Sequence, residues 1–192
     1  MYGTVKKEKG ESSWMIKQNL NKNWEMHTAG QKDRQQAQVP GTVYTDLLRN
    51  GNMEDPFWKD NENKALALME NDYEYETIFS CEPDLLACDS ILLRFEGLDT
   101  IADIYVNHEY IGRTDNMHRI WEFPVRHLLR EEGNLLRILL HSPLAYIREN
   151  SRRRLQEVLR MPWTVLSISE RPTACSAGTG AHTCRTRAYS GR

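Results

Sequence analysis

Short segments in which apolar and polar residues alternate, separated by turn residues, constrain the fold of this chain most strongly. The clearest is residues 73–79, where aromatic residues and a threonine alternate with two glutamates and an isoleucine. A period of two, rich in β-branched and aromatic residues, is typical of a strand with one buried face. Further strands are predicted at residues 20–27, 91–95, 102–106, 110–112, 120–125 and 135–141. Short strands that recur roughly every 8 to 15 residues predict an all-β sandwich.

Helical structure is predicted only as small insertions between the strands. Thr42 is a candidate N-cap, since its hydroxyl can accept a hydrogen bond from a free backbone N–H of the next turn. Apolar residues then recur at helical spacing through Leu48, and Gly51 suits the left-handed conformation that often follows a helix. Residues 30–38 and 52–63 are predicted loops.

The chain divides into three predicted parts. Residues 1–19 are expected to be a polar N-terminal extension, residues 20–150 the β-sandwich, and residues 151–192 a separate tail. The core of the sandwich is expected to come from apolar residues on the inward faces of the strands, namely Leu92, Phe95, Ile104, Val106, Trp121, Leu136 and Ile138.

The composition is typical of a soluble globular protein. The chain has 192 residues, of which 40% are hydrophobic and 27% are charged. No apolar run approaches the roughly 20 residues of a membrane helix, so no membrane partner is expected. The Lys-rich start has no apolar segment of a secretory signal, which favours a cytoplasmic location.

Positive charge is concentrated near the end of the chain. Eight Arg and two Glu follow Asn150, so that part has a net charge of +6. Because the whole chain has a net charge of −2, residues 1–150 have a net charge of −8. The run Arg152–Arg154 has two interpretations, a nucleic-acid patch or arbitrary arginines, and the second is favoured, so no nucleic-acid partner is expected. The Cys and His residues lack the ligand spacing of zinc sites, so neither a metal nor another cofactor is expected.

Acidic residues are plentiful, but no catalytic motif stands out. Glu74 and Glu76 point to the same face of a predicted strand, and two carboxylates acting together are what a retaining glycosidase requires. A solvated acidic face is the alternative, and it is favoured here. The chain has no nucleophile elbow, phosphate loop or dinucleotide fingerprint.

Several motifs resemble one family of enzymes. Residues 39–48 read VPGTVYTDLL, and the following loop carries Asp55-Pro-Phe57 and then Asp60-Asn-Glu62. Further runs are EGLDT at 96–100, IYVN at 104–107, NMH at 116–118 and NLLRI at 134–138. Over roughly residues 20–147 these motifs resemble the first domain of the β-mannosidases of glycoside hydrolase family 2. The NMH run and the DPF…DNE loop favour β-mannosidase over the related β-galactosidases and β-glucuronidases.

The resemblance implies a fold and an activity. The fold is a jelly-roll β-sandwich like that of galactose-binding modules. The activity is retaining hydrolysis of terminal non-reducing β-D-mannose residues in β-mannoside oligosaccharides, by two Glu on a (β/α)8 barrel and without a cofactor. Because none of that barrel is in this chain, the resemblance implies a chain that is inactive alone, with the barrel domain as its partner. Two departures are His108, where the family usually has Gly, and Met69, where Trp is common.

The DPF…DNE loop contains the candidate substrate-binding residues Asp55, Asn61 and Glu62. In the family, loops of the first domain help to wall the active-site pocket, so these side chains are expected to hydrogen-bond a sugar or the barrel. No catalytic residue is expected in the chain. The alternative is a turn network, because Asp before Pro is a common turn opener.

The residues from about Glu157 to Arg192 have no periodicity, and the resemblance suggests why. When the codons of residues 174–191 are written with the bases each amino acid requires and with free third bases, a one-base shift permits CMFGWDWGPHLPDAGIF. That string contains GWDWGP, a run characteristic of the family's first domain. We therefore predict a frameshift between about Glu149 and Glu157, a mostly disordered tail, an exposed strand edge and a marginally stable domain.

Two other classes of function stay open. A free-standing carbohydrate-binding module needs exposed stacking aromatics, for which Phe57, Trp58 and Trp121 are the candidates. A non-enzymatic interaction domain would instead use the basic tail to bind a partner.

Overall fold

A computed structural model describes residues 2–7, 14–160 and 185–189, with side chains over residues 16–152. Its strands are β1 (Tyr2–Lys7), β2 (Trp14–Asn19), β3 (Trp24–Thr28), β4 (Gln35–Ala37), β5 (Tyr73–Phe79), β6 (Leu92–Glu96), β7 (Ala102–Val106), β8 (Glu109–Thr114), β9 (Ile120–Pro124), β10 (Asn134–Leu140) and β11 (Arg185–Tyr189). Its helices are α1 (Val43–Arg49), α2 (Asn61–Leu68), α3 (Pro83–Leu86) and α4 (Pro143–Arg160).

The strands form two antiparallel sheets with a shared core. One sheet has the order β11-β6-β1-β2, and the other has the order β4-β3-β5-β10-β7-β8. β9 lies beside β6, where the Val125 N–H donates to the Ile91 carbonyl at 3.0 Å. The core cluster contains Phe95 from β6 and residues such as Trp24 and Leu136 from the larger sheet. The predicted all-β sandwich with small helical insertions is therefore confirmed.

Most of the predicted core is buried, and one error follows from the strand period. Phe95, Ile104, Val106, Leu136 and Ile138 are all at most 4% exposed. Leu92, by contrast, is only half-buried, and Leu93 at 2% exposure takes the inward position beside Phe95. Because successive side chains of a strand point to opposite faces, Leu92 and Phe95 cannot both face inward. Trp121 is also half-buried and packs against the rim of the core.

The sandwich begins before Leu20, unlike the predicted polar extension over residues 1–19. β1 and β2 pair along their full lengths, from Tyr2 opposite Asn19 to Lys7 opposite Trp14. Ile16 packs against the core cluster and so holds this hairpin on the sandwich. The lysines in residues 1–19 obscure the alternation that such a hairpin shows.

The larger sheet also gains a strand in a predicted loop. β4 lies within residues 30–38 and forms the sheet edge, so β3 is an inner strand and not the edge strand that the sequence suggested. With three residues, β4 is too short to show a period of two in the sequence.

Two segments of the predicted tail have regular structure. Residues 151–160 continue α4, and β11 pairs all five of its residues with β6. The exposed strand edge stays a prediction, because the sequence did not indicate which strand would carry it. Helix formers such as Arg, Leu, Gln and Glu fill residues 152–160, and strand pairing uses main-chain groups that every sequence has. The rest of the predicted disordered tail lies outside the described residues.

The predicted cap of α1 is confirmed. The Thr42 hydroxyl accepts a hydrogen bond from the Thr45 N–H at 3.2 Å, and the Thr45 hydroxyl accepts one from the Thr42 N–H at 3.0 Å. This reciprocal pair is a capping box in which Thr takes the usual Glu or Gln position. Gly51 follows the helix with a φ of +73°, as expected from the sequence.

The hairpin between β7 and β8 turns at two residues with left-handed backbone. Asn107 has a φ of +50° and His108 a φ of +70°. A two-residue turn of this kind favours Asn-Gly, because Gly adopts a positive φ without a Cβ clash. His108 therefore occupies a position that suits Gly better.

Replacing His108 with Gly is expected to stabilise the protein. Relief of left-handed strain is worth roughly 1–2 kcal/mol, and the greater freedom of Gly in the unfolded chain offsets about 0.4–1 kcal/mol of it. Urea denaturation should show a net gain of about 0.5–1 kcal/mol. The matched control is Gly133→Ala, at a φ of +68° with open space around it, which should lose stability. An unchanged or lower stability of His108→Gly would count against this assignment of strain.

Candidate functional site

The loop of residues 52–60 joins α1 to α2 and carries the DPF motif. Its start is anchored by Met53, which is 9% exposed, and the helix after it is anchored by Ala65, which is 2% exposed. An ion pair of 2.7 Å between Glu54 and Lys64 ties the loop to α2. The residues between these anchors therefore form a fixed projection from the sandwich.

Asp55 organises the loop through a local hydrogen-bond network. Its Oδ1 accepts a hydrogen bond from the Phe57 N–H at 3.0 Å. Its carbonyl oxygen accepts bonds from the Trp58 N–H at 3.2 Å and from the Asn61 side-chain amide at 3.1 Å. The turn network that the sequence offered as an alternative is thus present in the structure. Sugar binding by Asp55 and Asn61 stays a prediction.

The loop presents two aromatic side chains to solvent. Phe57 is 90% exposed and Trp58 is 64% exposed. The Trp58 carbonyl accepts a hydrogen bond from the Asn61 N–H at 3.2 Å, and the Lys59 Nζ lies 5.7 Å from the centre of the Trp58 ring. Because the backbone is held, these rings lose little conformational freedom when a ligand or a protein surface covers them.

Glu62, the third candidate residue, lies in the first turn of α2 and is exposed. It is close to Tyr44 of α1: burial raises the pKa of the Tyr44 hydroxyl, and the negative charge of Glu62 raises it further. The structure therefore brings Asp55 and Asn61 into contact and places Glu62 on the neighbouring surface of α2.

Asp46 lies on α1, the helix before the DPF loop, and is a buried carboxylate that the sequence did not reveal. It is 0% exposed. Its Oδ1 accepts bonds from the Gln38 N–H at 3.1 Å and from Arg49 at 2.9 Å, and its Oδ2 accepts one from the Tyr75 hydroxyl at 3.0 Å. Burial raises the pKa of Asp46, and the bonds from Gln38 and Tyr75 lower it in part. Asp46 thus joins the segment before α1 to the centre of the larger sheet.

The raised pKa of Asp46 leads to an expected pH dependence. A carboxyl group whose pKa is higher in the folded state than in the unfolded state binds more protons in the folded state. Its contribution to stability therefore falls as the pH rises from below its pKa in the unfolded protein to above its pKa in the folded protein. The stability of Asp46→Asn should therefore increase relative to wild type as pH rises through that interval. Urea denaturation of both proteins from about pH 3.5 to about pH 7 measures this difference. A difference that does not change with pH would contradict the raised pKa.

The two glutamates of β5 are ion-paired. The Glu76 Oε2 lies 2.7 Å from the Arg34 Nη1, and the Glu74 Oε2 lies 3.6 Å from both His27 and Arg137. Their side chains lie on the outer face of the larger sheet and are shielded from water by these partners, unlike the freely solvated acidic face that the sequence favoured. Occupied carboxylates of this kind are a structural arrangement and not a glycosidase pair.

The NMH run builds a turn against Trp121. The Asn116 Oδ1 accepts a bond from the His118 N–H at 2.9 Å, and the Asn116 carbonyl accepts one from the Trp121 ring N–H at 3.1 Å. The Trp121 ring stacks on Phe123, and the Arg119 guanidinium lies 4.6 Å from its centre. Trp121 is therefore half-buried with Arg119 over its ring, which makes it a poorer stacking platform for a sugar than the exposed Phe57 and Trp58.

Two classes of site find no support within the part of the chain that the structure describes. There, no group of three or more His, Cys, Asp and Glu side chains is arranged to hold a metal ion. Within the same residues, no helix combines the length and apolar character needed to span a bilayer.

Cys81 is expected to be chemically inert in the folded protein. Burial raises the pKa of its thiol to about 11, although nearby Arg126 lowers it in part. The thiolate is the reactive form, so alkylation by iodoacetamide at about pH 8 should be roughly 200-fold slower than for an ordinary thiol with a pKa near 8.5. Peptide mass mapping separates Cys81 from the other cysteines. Equal labelling rates in native and urea-unfolded protein would contradict the expectation.

Comparison with known protein families gives a match over most of the chain. Residues 24–187 match the family described as glycosyl hydrolase 2 galactose-binding domain-like. The β-mannosidase of Capra hircus is 28% identical over 144 residues, which is 75% of this chain and 16% of that protein. β-Mannosidase B of Thermothelomyces thermophilus is 33% identical over 132 residues, or 67% of this chain and 15% of that protein. The chain thus spans 15–16% of the length of these relatives.

Solved structures give the same picture. The β-D-mannosidase of Dictyoglomus thermophilum is similar with a TM-score of 0.70 and 31% identity, covering 89% of this chain and 22% of that one. The exo-chitosanase CsxA of Amycolatopsis orientalis has a TM-score of 0.54 at 18% identity, covering 62% of this chain and 16% of that one. The second likeness concerns the fold alone.

Proposed function

Because the chain belongs to the galactose-binding-like N-terminal domains of glycosyl hydrolase family 2, we propose that it serves as the first domain of a β-mannosidase. The observation that carries the proposal is similarity to β-mannosidases over two thirds or more of this chain. The parent enzyme would release terminal non-reducing β-D-mannose from β-mannoside oligosaccharides. Its two catalytic Glu, about 5 Å apart as retention requires, would come from a barrel domain.

The role of this domain is to complete and cover a site on that barrel. The fixed loop with Phe57 and Trp58 is the element best suited to contact a second domain or a bound sugar, with Asp55, Asn61 and Glu62 as polar groups around it. Aromatic side chains on a rigid backbone, which become buried when two surfaces meet, are typical of strong interface contacts. No cofactor is required for hydrolysis of this kind.

The 192-residue chain is expected to have no hydrolase activity by itself. Its described residues form the sandwich, and the carboxylates of β5 are engaged in ion pairs. The check is an assay of the purified chain on p-nitrophenyl β-D-mannopyranoside. Turnover above the uncatalysed rate that survives repurification and is lost with Glu74→Gln or Glu76→Gln would contradict the proposal.

We also propose that residues from between about Glu149 and Glu157 to Arg192 are encoded in a shifted reading frame. The support is that a one-base shift of the codons for residues 174–191 permits the run GWDWGP. Sequencing the DNA from the Ser142 codon to a few hundred bases past Arg192 tests this. A single added or missing base that opens a frame through GWDWGP into a barrel is the expected result. A closed adjacent frame, with stop codons soon after the run, would contradict an intact parent gene.

A free-standing carbohydrate-binding module is the second candidate, favoured by the exposure of Phe57 and Trp58. If that role holds, β-mannobiose should quench or shift Trp fluorescence, and the double variant Phe57→Ala/Trp58→Ala should lose the response. Silence at millimolar sugar removes this candidate. The third candidate is an interaction domain that binds a partner through its basic tail. If proteolytic removal of the tail leaves partner binding unchanged, this candidate is excluded.

We further propose that the protein works in a reducing compartment such as the cytoplasm. The support is that Cys81 is a buried thiol outside any disulfide. Free thiols of this kind are usual in intracellular proteins. Fractionation of the native source with a domain-specific antibody tests the location, and recovery from the medium alone would contradict it.

A further inference from the structure

A cleft opens where β3 separates from β5. β3 pairs with β5 only as far as Thr77, opposite Trp24, whereas β5 continues beside β10 to Phe79. The chain before Trp24 turns toward β2 and leaves an open space of about 290 Å³ beside the end of β5. This cleft lies apart from the DPF loop, and none of its lining residues belongs to that loop.

The walls of the cleft are fixed by hydrogen bonds. The Gln18 side-chain amide donates to the Ser80 carbonyl at 2.6 Å, and its oxygen accepts a bond from the Glu82 N–H at 3.3 Å. On the other side, the Thr77 hydroxyl donates to the Lys22 carbonyl at 3.1 Å. The Gln18 bonds join β2 to the segment after β5, and the Thr77 bond joins β5 to the turn before β3. A ligand entering the cleft therefore has little backbone to order.

The cleft combines an apolar side with a polar rim. Ile78, which is 66% exposed, supplies apolar surface, and the half-buried Phe79 lines the inner end of the cleft. Lys22, Asn23 and Ser80, all exposed, supply an ammonium, an amide and a hydroxyl. A pyranose presents the matching pair of features, a C–H face and a ring of hydroxyls that both donate and accept hydrogen bonds. A space of this size is close to the lower end of the roughly 300–1,000 Å³ of small-molecule sites, which suits a single sugar unit.

We propose that this cleft is a binding site for one neutral hexose unit of a glycan, separate from any site that the domain helps to form on a barrel. The pyranose C–H face packs on Ile78. Its hydroxyls bond with Asn23, Lys22 and Ser80. The site belongs to the sandwich itself, so it goes beyond the proposed function and does not depend on it.

The test is an NMR titration of the ¹⁵N-labelled 192-residue chain with D-mannose, D-galactose and β-1,4-mannobiose. Saturable shifts are expected at the amides of Lys22, Asn23, Ile78 and Ser80. The double variant Lys22→Ala/Asn23→Gly should raise the Kd for the sugar at least fivefold. Gly is chosen because Asn23 has a φ of +58°, so the backbone keeps its conformation. Ile78→Ala should weaken binding independently, and the exposed Lys32→Ala is the matched control that should not.

Three results would overturn the proposal. The first is the absence of saturable shifts with all three sugars. The second is a set of shifts confined to residues 55–62 and abolished by Phe57→Ala/Trp58→Ala, which would assign sugar binding to the DPF loop. The third is saturable shifts at the cleft with inorganic phosphate or glucuronate but with no neutral sugar, which would make Lys22 the centre of an anion site. The first and third leave the β-mannosidase proposal untouched, since it concerns hydrolysis by another domain.

Discussion

Replacement of Asp46 with Ala is expected to lower the free energy of unfolding by about 2–5 kcal/mol. The carboxylate is fully buried and accepts hydrogen bonds from the Tyr75 hydroxyl, the Gln38 N–H and the Arg49 guanidinium, and the Ala variant loses all three. The net contribution of one hydrogen bond is about 0.5–1.5 kcal/mol, and it is larger when one partner is charged. Urea denaturation followed by far-UV circular dichroism measures the change.

Two further variants separate the contributions at this site. Asp46→Asn retains an oxygen acceptor of the same shape and should lose less stability than Asp46→Ala. Arg49→Ala removes a donor whose side chain is 50% exposed, so it should cost less than about 1 kcal/mol. A loss for Arg49→Ala as large as that for Asp46→Ala would show that the surface ion pair, and not the buried network, holds α1 in place.

Replacement of Asn134 with Ala is expected to cost about 2–4 kcal/mol. Asn134 is 0% exposed, and its Oδ1 accepts bonds from the Arg130 N–H at 2.8 Å and from the Asn107 amide at 3.1 Å. Its own amide donates to the Arg130 carbonyl at 2.7 Å. These contacts join the start of β10 to the β7–β8 turn at Asn107 and to the loop before β10 at Arg130. Their loss should therefore loosen all three segments.

The control for Asn134 is Asn71→Ala, which removes the exposed side-chain hydrogen bond of 3.1 Å to the Leu68 carbonyl and a bond to Tyr73, and which should cost less than about 1 kcal/mol. Asn107→Ala and the double variant with Asn134 complete a mutant cycle. A coupling of at least about 0.5 kcal/mol is expected, because the two amides share one network. Strict additivity would mean that the two side chains stabilise the fold separately.

Local chemistry accounts for the parts of the fold that the sequence predicted well. The cap at Thr42, the glycine after α1 and the alternation of β5 each depend on neighbouring residues, so they are visible without knowledge of the tertiary structure. Asp46 was missed for the opposite reason. Its partner Tyr75 lies 29 residues away, and a lone Asp on a short helix gives no sign that such a partner exists.

The candidate site shows the same division. The DPF motif identified the loop correctly as an ordered element, and Pro56 after Asp55 indicated a turn. The sequence offered both a sugar contact and a turn network for Asp55, and it could not separate the exposed Phe57 and Trp58 from the half-buried Trp121. Exposure depends on how the loop sits on the core at Met53, which no local pattern encodes.

The most direct test of the central claim is the hydrolytic specificity of the polypeptide encoded by the continuous reading frame once the DNA sequence is known. It should be assayed on the p-nitrophenyl derivatives of β-D-mannose, β-D-galactose, β-D-glucuronic acid and β-D-glucosamine. A kcat/KM for the mannoside at least about 100-fold above the others, a transition-state preference of roughly 3 kcal/mol, is the expected result. Preference for any of the other three glycosides would contradict the assignment to β-mannosidase.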